Sequence, residues 1–215
     1  MKSMAIHGPR SAARVFLAVL SLLAGLAVAG APVSAQKVPE KIRLTSQSKD
    51  GAVLLRVDTY PADTQLWFNK AGKSGFGSRI FVIDIPRGDG QATYVARTLA
   101  PGRYRLDSIW QQKRWGILLC RDTIEFEVAA AKITYLGKLD NRDILSILQR
   151  DAIAAGKTVS VGLSGFISDK HGQKPEFSGR DEAGLGEAIR FASEAMRASE
   201  GMVQLGALFE SRVTD

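Results

Sequence analysis

The stretch from Thr93 to Leu139 reads TYVARTLAPGRYRLDSIWQQKRWGILLCRDTIEFEVAAAKITYLGKL. Its apolar residues fall on alternate positions, namely Tyr104 and Leu106, then Ile124, Phe126 and Val128. A period of two places one face of a β-strand on a core and the other face in water. Turn residues interrupt the pattern at Pro101-Gly102 and at Arg121-Asp122, so we expect a run of antiparallel hairpins.

Further strand patterns lie toward the N-terminus. Val and Leu on both faces of the segment Ala52 to Tyr60 indicate a strand in the middle of a sheet. Turns between the segments and spacings of roughly 8 to 12 residues are typical of a β-sandwich. We therefore predict an Ig-like or prealbumin-like antiparallel β-sandwich over residues 36–139. Its strands are expected at 52–60, 65–69, 79–85, 93–99, 103–109, 115–120, 123–128 and 133–139.

A different pattern begins at Asp140, and we predict a C-terminal helical or α+β appendage over residues 140–215. Asp140 or Asn141 can cap a first helix, and Asp181 to Ser199 carries a second apolar stripe at helical spacing. The segment from Met202 to Val213 is apolar but too short to classify. Because the sandwich already contains about eight strands, we expect it to fold without this tail.

Residues 1–35 have the pattern of a secretory signal peptide. Basic residues precede an almost wholly apolar run from Val15 to Ala31, and Val33-Ser34-Ala35 offers small residues for cleavage. The alternative is a retained membrane anchor, but the run of about 17 residues is at the short limit for a membrane span. We expect cleavage after Ala35, an exported protein in the periplasm or outside the cell, and no stable membrane span afterwards.

Charge is distributed unevenly along the rest of the chain. Residues 36–139 contain 17 basic and 10 acidic residues, whereas residues 140–215 contain 9 basic and 12 acidic. Nucleic acid is a poor explanation for a basic domain that is exported, and an anionic surface polymer of the envelope is a better partner. Ordinary solubility also accounts for a charge of this size.

Cys120 is the only cysteine in the sequence. A lone thiol cannot close a disulfide within its own chain, so the stability of the domain has to come from its core. We expect a small buried hydrophobic side chain, with an intermolecular disulfide as the alternative.

A family resemblance is carried by three motifs: Leu99-Ala-Pro-Gly-Arg-Tyr-Arg-Leu106, Phe126-Glu-Val128 and Ile133-Thr-Tyr-Leu-Gly137. They resemble exported bacterial β-sandwich domains of unknown function, including lipoproteins, and the P-G-x-Y element also occurs in prealbumin-like and carboxypeptidase-regulatory-like sandwiches. The resemblance implies an envelope sandwich without an assigned activity. The chain departs from the pattern at Ala130-Ala131-Lys132, where the turn glycine is missing, so the turn must avoid positive φ or accept strain.

Candidate catalytic groups are few. His171 is the only histidine after residue 35, which excludes a multi-histidine metal site, and we expect it to be solvated in a polar loop. The segment Gly72 to Gly77 is glycine-rich but has the pattern of a hairpin loop rather than a phosphate cradle. Glu125 and Glu127 share one strand face, where we expect two solvated carboxylates rather than an acid and base pair. No cofactor or metal is predicted.

One constellation qualifies as a binding site. Trp110 and Trp115 flank the basic residues Lys113 and Arg114, so a reversal between them would make the two indoles cross-strand neighbours beside a basic tip. Aromatic faces beside cations can bind a sugar ring, a lipid headgroup or a protein side chain. The alternative is an aromatic pair that only fixes the register of the hairpin.

These observations favour a noncatalytic envelope module that binds a partner protein or a surface polymer. A hydrolase-like enzyme whose site is assembled from separated segments remains the first alternative. A structural accessory domain of a secreted complex is the second.

Overall fold

A computed structural model describes residues 42–73, 79–111, 115–119, 123–142, 144, 146, 166–167 and 175–211. All of them belong to one compact unit, Gln36–Asp215. The strands are β1 (Gly51–Asp58), β2 (Thr64–Lys70), β3 (Arg79–Ile85), β4 (Ala92–Leu99), β5 (Gly102–Gln111), β6 (Trp115–Leu118), β7 (Ile124–Val128), β8 (Ile133–Leu139), β9 (Phe166–Ile167), β10 (Phe177–Ser178), β11 (Val203–Leu205) and β12 (Leu208–Glu210); helix α1 spans Glu182–Met196.

The described strands form two sheets. Sheet 1 has the order β4-β1-β8, and β10 and β11 both pair with β8. Sheet 2 has the order β3-β2-β5-β7-β12, with β6 also paired to β5 and β9 paired to β6. The predicted sandwich followed by a C-terminal helix is confirmed. Its pairing is mostly antiparallel, but β1 with β8, β8 with β11 and β6 with β9 are parallel.

The main core lies between the two sheets. It contains inward-facing side chains from both sheets, among them Val53, Leu55, Leu66, Phe68, Leu106, Phe126 and Leu136. Phe68 stacks on Phe81 with ring centroids 4.5 Å apart, and its edge meets Phe126 at 5.8 Å. The five residues that the period of two assigned to one strand face all belong to this core, so the alternation correctly identifies that part of it: Tyr104, Leu106, Ile124, Phe126 and Val128.

A second core lies between sheet 1 and α1. Ala52, Leu54, Ile133 and Tyr135 project from the outer face of the sheet and pack with Ala188, Ala192 and Met196 of the helix. Strand β1 is therefore buried on both faces, and it lies between β4 and β8 as predicted from its sequence. Small side chains on the helix allow it to approach the sheet closely.

Helix α1 has well-defined ends. The side chain of Asp181 accepts a hydrogen bond from the backbone N–H of Gly184, which is the usual role of an N-cap. Arg197 ends the helix in the left-handed conformation, with φ of 53°. The predicted helix is confirmed within three residues at each end. Of the helix predicted to begin near Asp140, the described residues Arg142, Ile144 and Ser146 are helical.

The C-terminal segment also contributes strands that its sequence does not indicate. After α1, β11 pairs with β8 of sheet 1 and β12 pairs with β7 of sheet 2. The chain thus passes from one sheet to the other through Gly206 and Ala207. Residues beyond 139 add both strands and a covering helix to the sandwich, although the division predicted at that point stays a prediction.

Two of the predicted hairpin turns are corrected by the topology. Pro101-Gly102 joins β4 of sheet 1 to β5 of sheet 2, so it turns the chain between sheets rather than within a hairpin. The segment containing Arg121-Asp122 connects β6 and β7, which pair with the same strand, β5, one after the other. Turn residues mark where a strand stops, but they do not say which sheet the next strand joins.

The turn without glycine accepts the strained conformation. Ala131 has φ of 56° in the turn between β7 and β8, and its N–H donates to the carbonyl of Asp50. An L-residue in this region costs about 1 to 2 kcal/mol. We expect Ala131→Gly to raise the free energy of unfolding by about 1 kcal/mol in urea denaturation, because glycine removes that cost.

Ala130→Gly is the control for this prediction. Ala130 lies in the same turn without a positive φ, so glycine there only loosens the unfolded chain and should be slightly destabilising. Equal stabilities for the two variants would contradict the assignment of strain to Ala131.

Candidate functional site

The hairpin that carried the sequence-based site is present, but its register differs from the expectation. Gln111 pairs with Trp115, and Trp110 pairs with Gly116. The prediction that Trp110 and Trp115 are cross-strand neighbours is therefore wrong, because the observed register is shifted by one residue. Adjacent residues of a strand face opposite sides of a sheet. Lys113, Arg114 and the side chain of Trp115 lie outside the described residues.

Trp110 has a different aromatic partner. Its indole stacks on Trp67 of β2, with ring centroids 4.5 Å apart and an angle of 22° between the rings. Its Nε1 donates to the Ser108 hydroxyl at 3.0 Å, and the residue is only 4% exposed. This arrangement matches the alternative that an aromatic pair stabilises strand pairing, except that it joins β2 to β5 rather than the two strands of the hairpin.

A row of side chains crosses the outer face of sheet 2 next to this stack. Asn69 lies opposite Arg105, Arg105 lies opposite Glu125, and Glu125 lies opposite Phe209. Directly opposed residues share a face, so four neighbouring strands bring a polar amide, a cation, an anion and an aromatic ring into line. Asn69, Arg105 and Glu125 are at most 5% exposed.

Glu125 is not the solvated carboxylate that the sequence predicts. It is 5% exposed, and its Oε1 accepts a hydrogen bond of 2.8 Å from the hydroxyl of Ser211. Its Oε2 lies 2.9 Å from Nε of Arg103. Both partners come from other segments, and together they compensate the burial of its charge. Glu127, two residues along the strand, is exposed as expected.

Arg103 connects this carboxylate to an aromatic side chain. Its Cζ lies 4.5 Å from the centre of the Phe209 ring, which is within the range of a cation–π contact. About half of the Arg103 side chain, 48%, is exposed, and Phe209 is 40% exposed. The guanidinium is therefore held on one edge by Glu125 and on one face by Phe209, in a side chain of which about half is accessible to solvent.

A cleft opens at this point of the surface, with a volume of about 730 Å³. Its walls come from the turn after β2, from β5, from β7 and from β12: Ala71, Gly72, Arg103, Glu125, Leu208, Phe209 and Glu210. The turn is fixed to β5 by a hydrogen bond from the N–H of Ala71 to the carbonyl of Arg103. Gly72 has φ of 75°, a conformation that favours glycine.

The wall formed by β12 is positioned by Arg180. Its two terminal nitrogens donate to the carbonyls of Leu136 and Gly206, each at 2.6 Å, and so tie the passage between β11 and β12 to strand β8. Partial burial lowers the pKa of Arg180 from its usual value. Gly137 makes room for this side chain, because a Cβ there would lie 2.7 Å from Cγ of Arg180.

A buried ion pair lies beside the cleft on the same sheet. Arg105 donates to Asp107 at 3.0 Å and to the carbonyl of Leu119 at 3.3 Å, and both charged side chains are less than a tenth exposed. Strand β5 pairs first with β7 and then with β6, and the two paired segments are separated by unequal lengths of chain. Between Arg105 and Ser108, β5 has two residues, whereas six residues lie between their partners Leu118 and Glu125. The ion pair lies at this irregularity.

At the interface under α1, the partly exposed Arg56 of β1 pairs with Glu187 of the helix at 2.6 Å, and its Cζ lies 5.9 Å from the centre of the Tyr94 ring, so this ion pair joins the helix to sheet 1. Tyr94 stacks on Phe191 at 4.4 Å and is 8% exposed. Burial is the largest cause that raises the pKa of Tyr94 to about 12, so this phenol stays neutral at physiological pH and is unsuited to act as a base. We regard this interface as structural.

Several sequence-based candidates lie elsewhere or cannot be placed. His171 and Cys120 lie outside the described residues, as does most of the segment from Gly72 to Gly77. Within the described ranges, no cluster of three or more His, Cys, Asp or Glu residues is arranged to hold a metal ion. None of the helices in the described part of the chain is both long and apolar enough to span a membrane.

Comparisons with protein-family models, with curated proteins and with solved structures find no match to this chain.

Proposed function

We propose that the protein is an exported, noncatalytic module of the cell envelope that binds a surface polymer or a partner protein through the cleft beside Arg103. The observation that carries the proposal is Arg103, whose side chain is half exposed and whose guanidinium lies between a buried carboxylate and the exposed ring of Phe209. Concave sites with a few oriented polar groups beside apolar surface are the usual form of ligand sites.

The state of Glu125 favours binding over acid–base catalysis. Its two carboxylate oxygens are already engaged by Ser211 and Arg103, so neither oxygen is positioned as a free base. A carboxylate with these partners acts as a fixed anchor for the arginine. The exported location rests on the residue pattern before Gln36.

Two exposed apolar residues provide a test of the site. Phe209 lines the cleft, whereas Leu205 on the same C-terminal passage does not, and they are 40% and 39% exposed. We expect the immobilised protein to capture a component of envelope extracts, Phe209→Ser to lose that capture, and Leu205→Ser to retain it. Because both side chains are exposed, neither change should alter the melting temperature greatly.

Treating the extract with protease before capture separates the two classes of partner. A captured component that survives treatment is a polymer, and one that disappears is a protein. Equal capture by the two serine variants would contradict the cleft as the binding site. If the unaltered protein captures nothing from the treated or the untreated extract, the proposed function itself is contradicted.

A further inference from the structure

Arg103 is a partly exposed residue whose cationic group has a fixed orientation. The contact of Nε with Glu125 and the packing of the guanidinium on Phe209 restrict both its edge and its plane. A planar guanidinium can bind a carboxylate through two parallel hydrogen bonds, which a lysine ammonium cannot do. Less conformational entropy is lost on binding when such a group is already oriented.

The other groups in the cleft restrict which further groups a ligand can carry beside a carboxylate bound by Arg103. Glu210 and Glu125 also line the cleft, so carboxylate oxygens accompany Arg103, which is the one arginine among the described lining residues. Carboxylates accept hydrogen bonds from hydroxyl groups but repel further negative charge. Phe209 adds an exposed apolar ring. The cleft therefore suits a ligand with one anionic group, several hydroxyl donors and an apolar face.

We propose that the cleft binds a carboxylated polysaccharide, with Arg103 receiving the carboxylate of an acidic sugar ring and Phe209 contacting the ring. This inference rests on the proposed function and names the ligand class for the same site. An acidic sugar carries one carboxylate and several hydroxyls on each ring. The carboxylate matches the guanidinium of Arg103, and the hydroxyls match the carboxylate oxygens of the lining. An acidic peptide matches less well, because its side chains offer few hydroxyl donors to the carboxylate oxygens of the cleft lining.

Titration calorimetry with three defined polymers tests the proposal. The probes are polygalacturonate, the neutral polysaccharide dextran, and poly-glutamate as an acidic peptide. We expect the purified protein to bind polygalacturonate, to bind the other two much more weakly, and to lose affinity as salt is raised, because the contact is charged and partly exposed. Preference for poly-glutamate would overturn the proposal in favour of a peptide, and equal binding of dextran would overturn the role of the carboxylate.

The variant Arg103→Lys examines the guanidinium itself. Lysine keeps a positive charge beside Glu125 but lacks the planar pair of donors, and we expect the dissociation constant for polygalacturonate to rise about tenfold or more. Arg97→Gln is the matched control, since Arg97 is an exposed arginine on β4 of the other sheet. It should leave the dissociation constant close to that of the unaltered protein.

A second variant keeps the test valid if Arg103→Lys does not fold. Phe209→Leu replaces an exposed ring with an apolar side chain that cannot support the guanidinium face, and it should also weaken polygalacturonate binding. Unchanged affinity in both variants, or in Phe209→Leu when the lysine variant is unfolded, overturns the inference. Capture from envelope extracts that depends on Phe209 without any binding of polygalacturonate overturns the ligand class while leaving the proposed function standing.

Discussion

A chain that ends at Leu139 is expected to lose its cooperative unfolding transition and to aggregate. The truncation removes α1, which covers the outer face of sheet 1, together with β9, β10, β11 and β12. Leu54, Ile133 and Tyr135, each at most 1% exposed, would face water. Burial of a large apolar side chain contributes about 1.5 to 3 kcal/mol, so three of them approach the 5 to 15 kcal/mol that stabilises a whole domain.

A pair of point variants separates the loss of this interface from other effects of truncation. Ala192 of α1 is fully buried against sheet 1, whereas the adjacent Ser193 is exposed. Ala192→Asp should destabilise the protein severely, because it places an uncompensated charge in an apolar interface. Ser193→Asp should have little effect. A truncated protein that unfolds cooperatively at a melting temperature close to that of the full chain would show that the sandwich folds alone, as its sequence suggests.

The sequence-based prediction that the sandwich folds alone illustrates what the sequence can and cannot reveal. Alternating apolar residues identified eight strands, and the apolar residues on both faces of β1 identified its central position. The same property of β1 implies a cover for the outer face of its sheet, and α1 supplies it. Strands β11 and β12 have three residues each, too few for any periodic signal, and they exist because β8 and β7 offer partners for them.

The cleft could not be predicted for a related reason. Glu125 is on the solvent side of its strand by alternation, and its burial depends on Ser211, which is 86 residues away in sequence. Phe209 reaches Arg103 only through the pairing of β12 with β7. Similarly, Trp110 was recognised as an aromatic residue of interest, but its partner Trp67 comes from a different part of the chain. Local patterns identify strand faces, whereas these contacts depend on strand order.

The second large effect is expected at the buried ion pair of Arg105 and Asp107. Asp107→Ala removes a carboxylate 3.0 Å from a guanidinium that is 3% exposed. Breaking one side of a buried pair typically costs about 3 to 5 kcal/mol, because the remaining charge loses a partner without returning to water. We expect a decrease of that size in the free energy of unfolding, measured by urea denaturation.

Replacing both partners distinguishes the cost of an uncompensated charge from the value of the pair. The double variant Arg105→Leu/Asp107→Leu leaves no buried charge at these positions, so it should be more stable than Asp107→Ala alone. Arg87→Ala is the control, because Arg87 pairs with Asp63 at 2.6 Å while both side chains are more than half exposed; it should be almost without effect. If the double variant is no more stable than Asp107→Ala, the decrease in the free energy of unfolding comes from losing the Arg105–Asp107 interaction and not from leaving the Arg105 charge without Asp107.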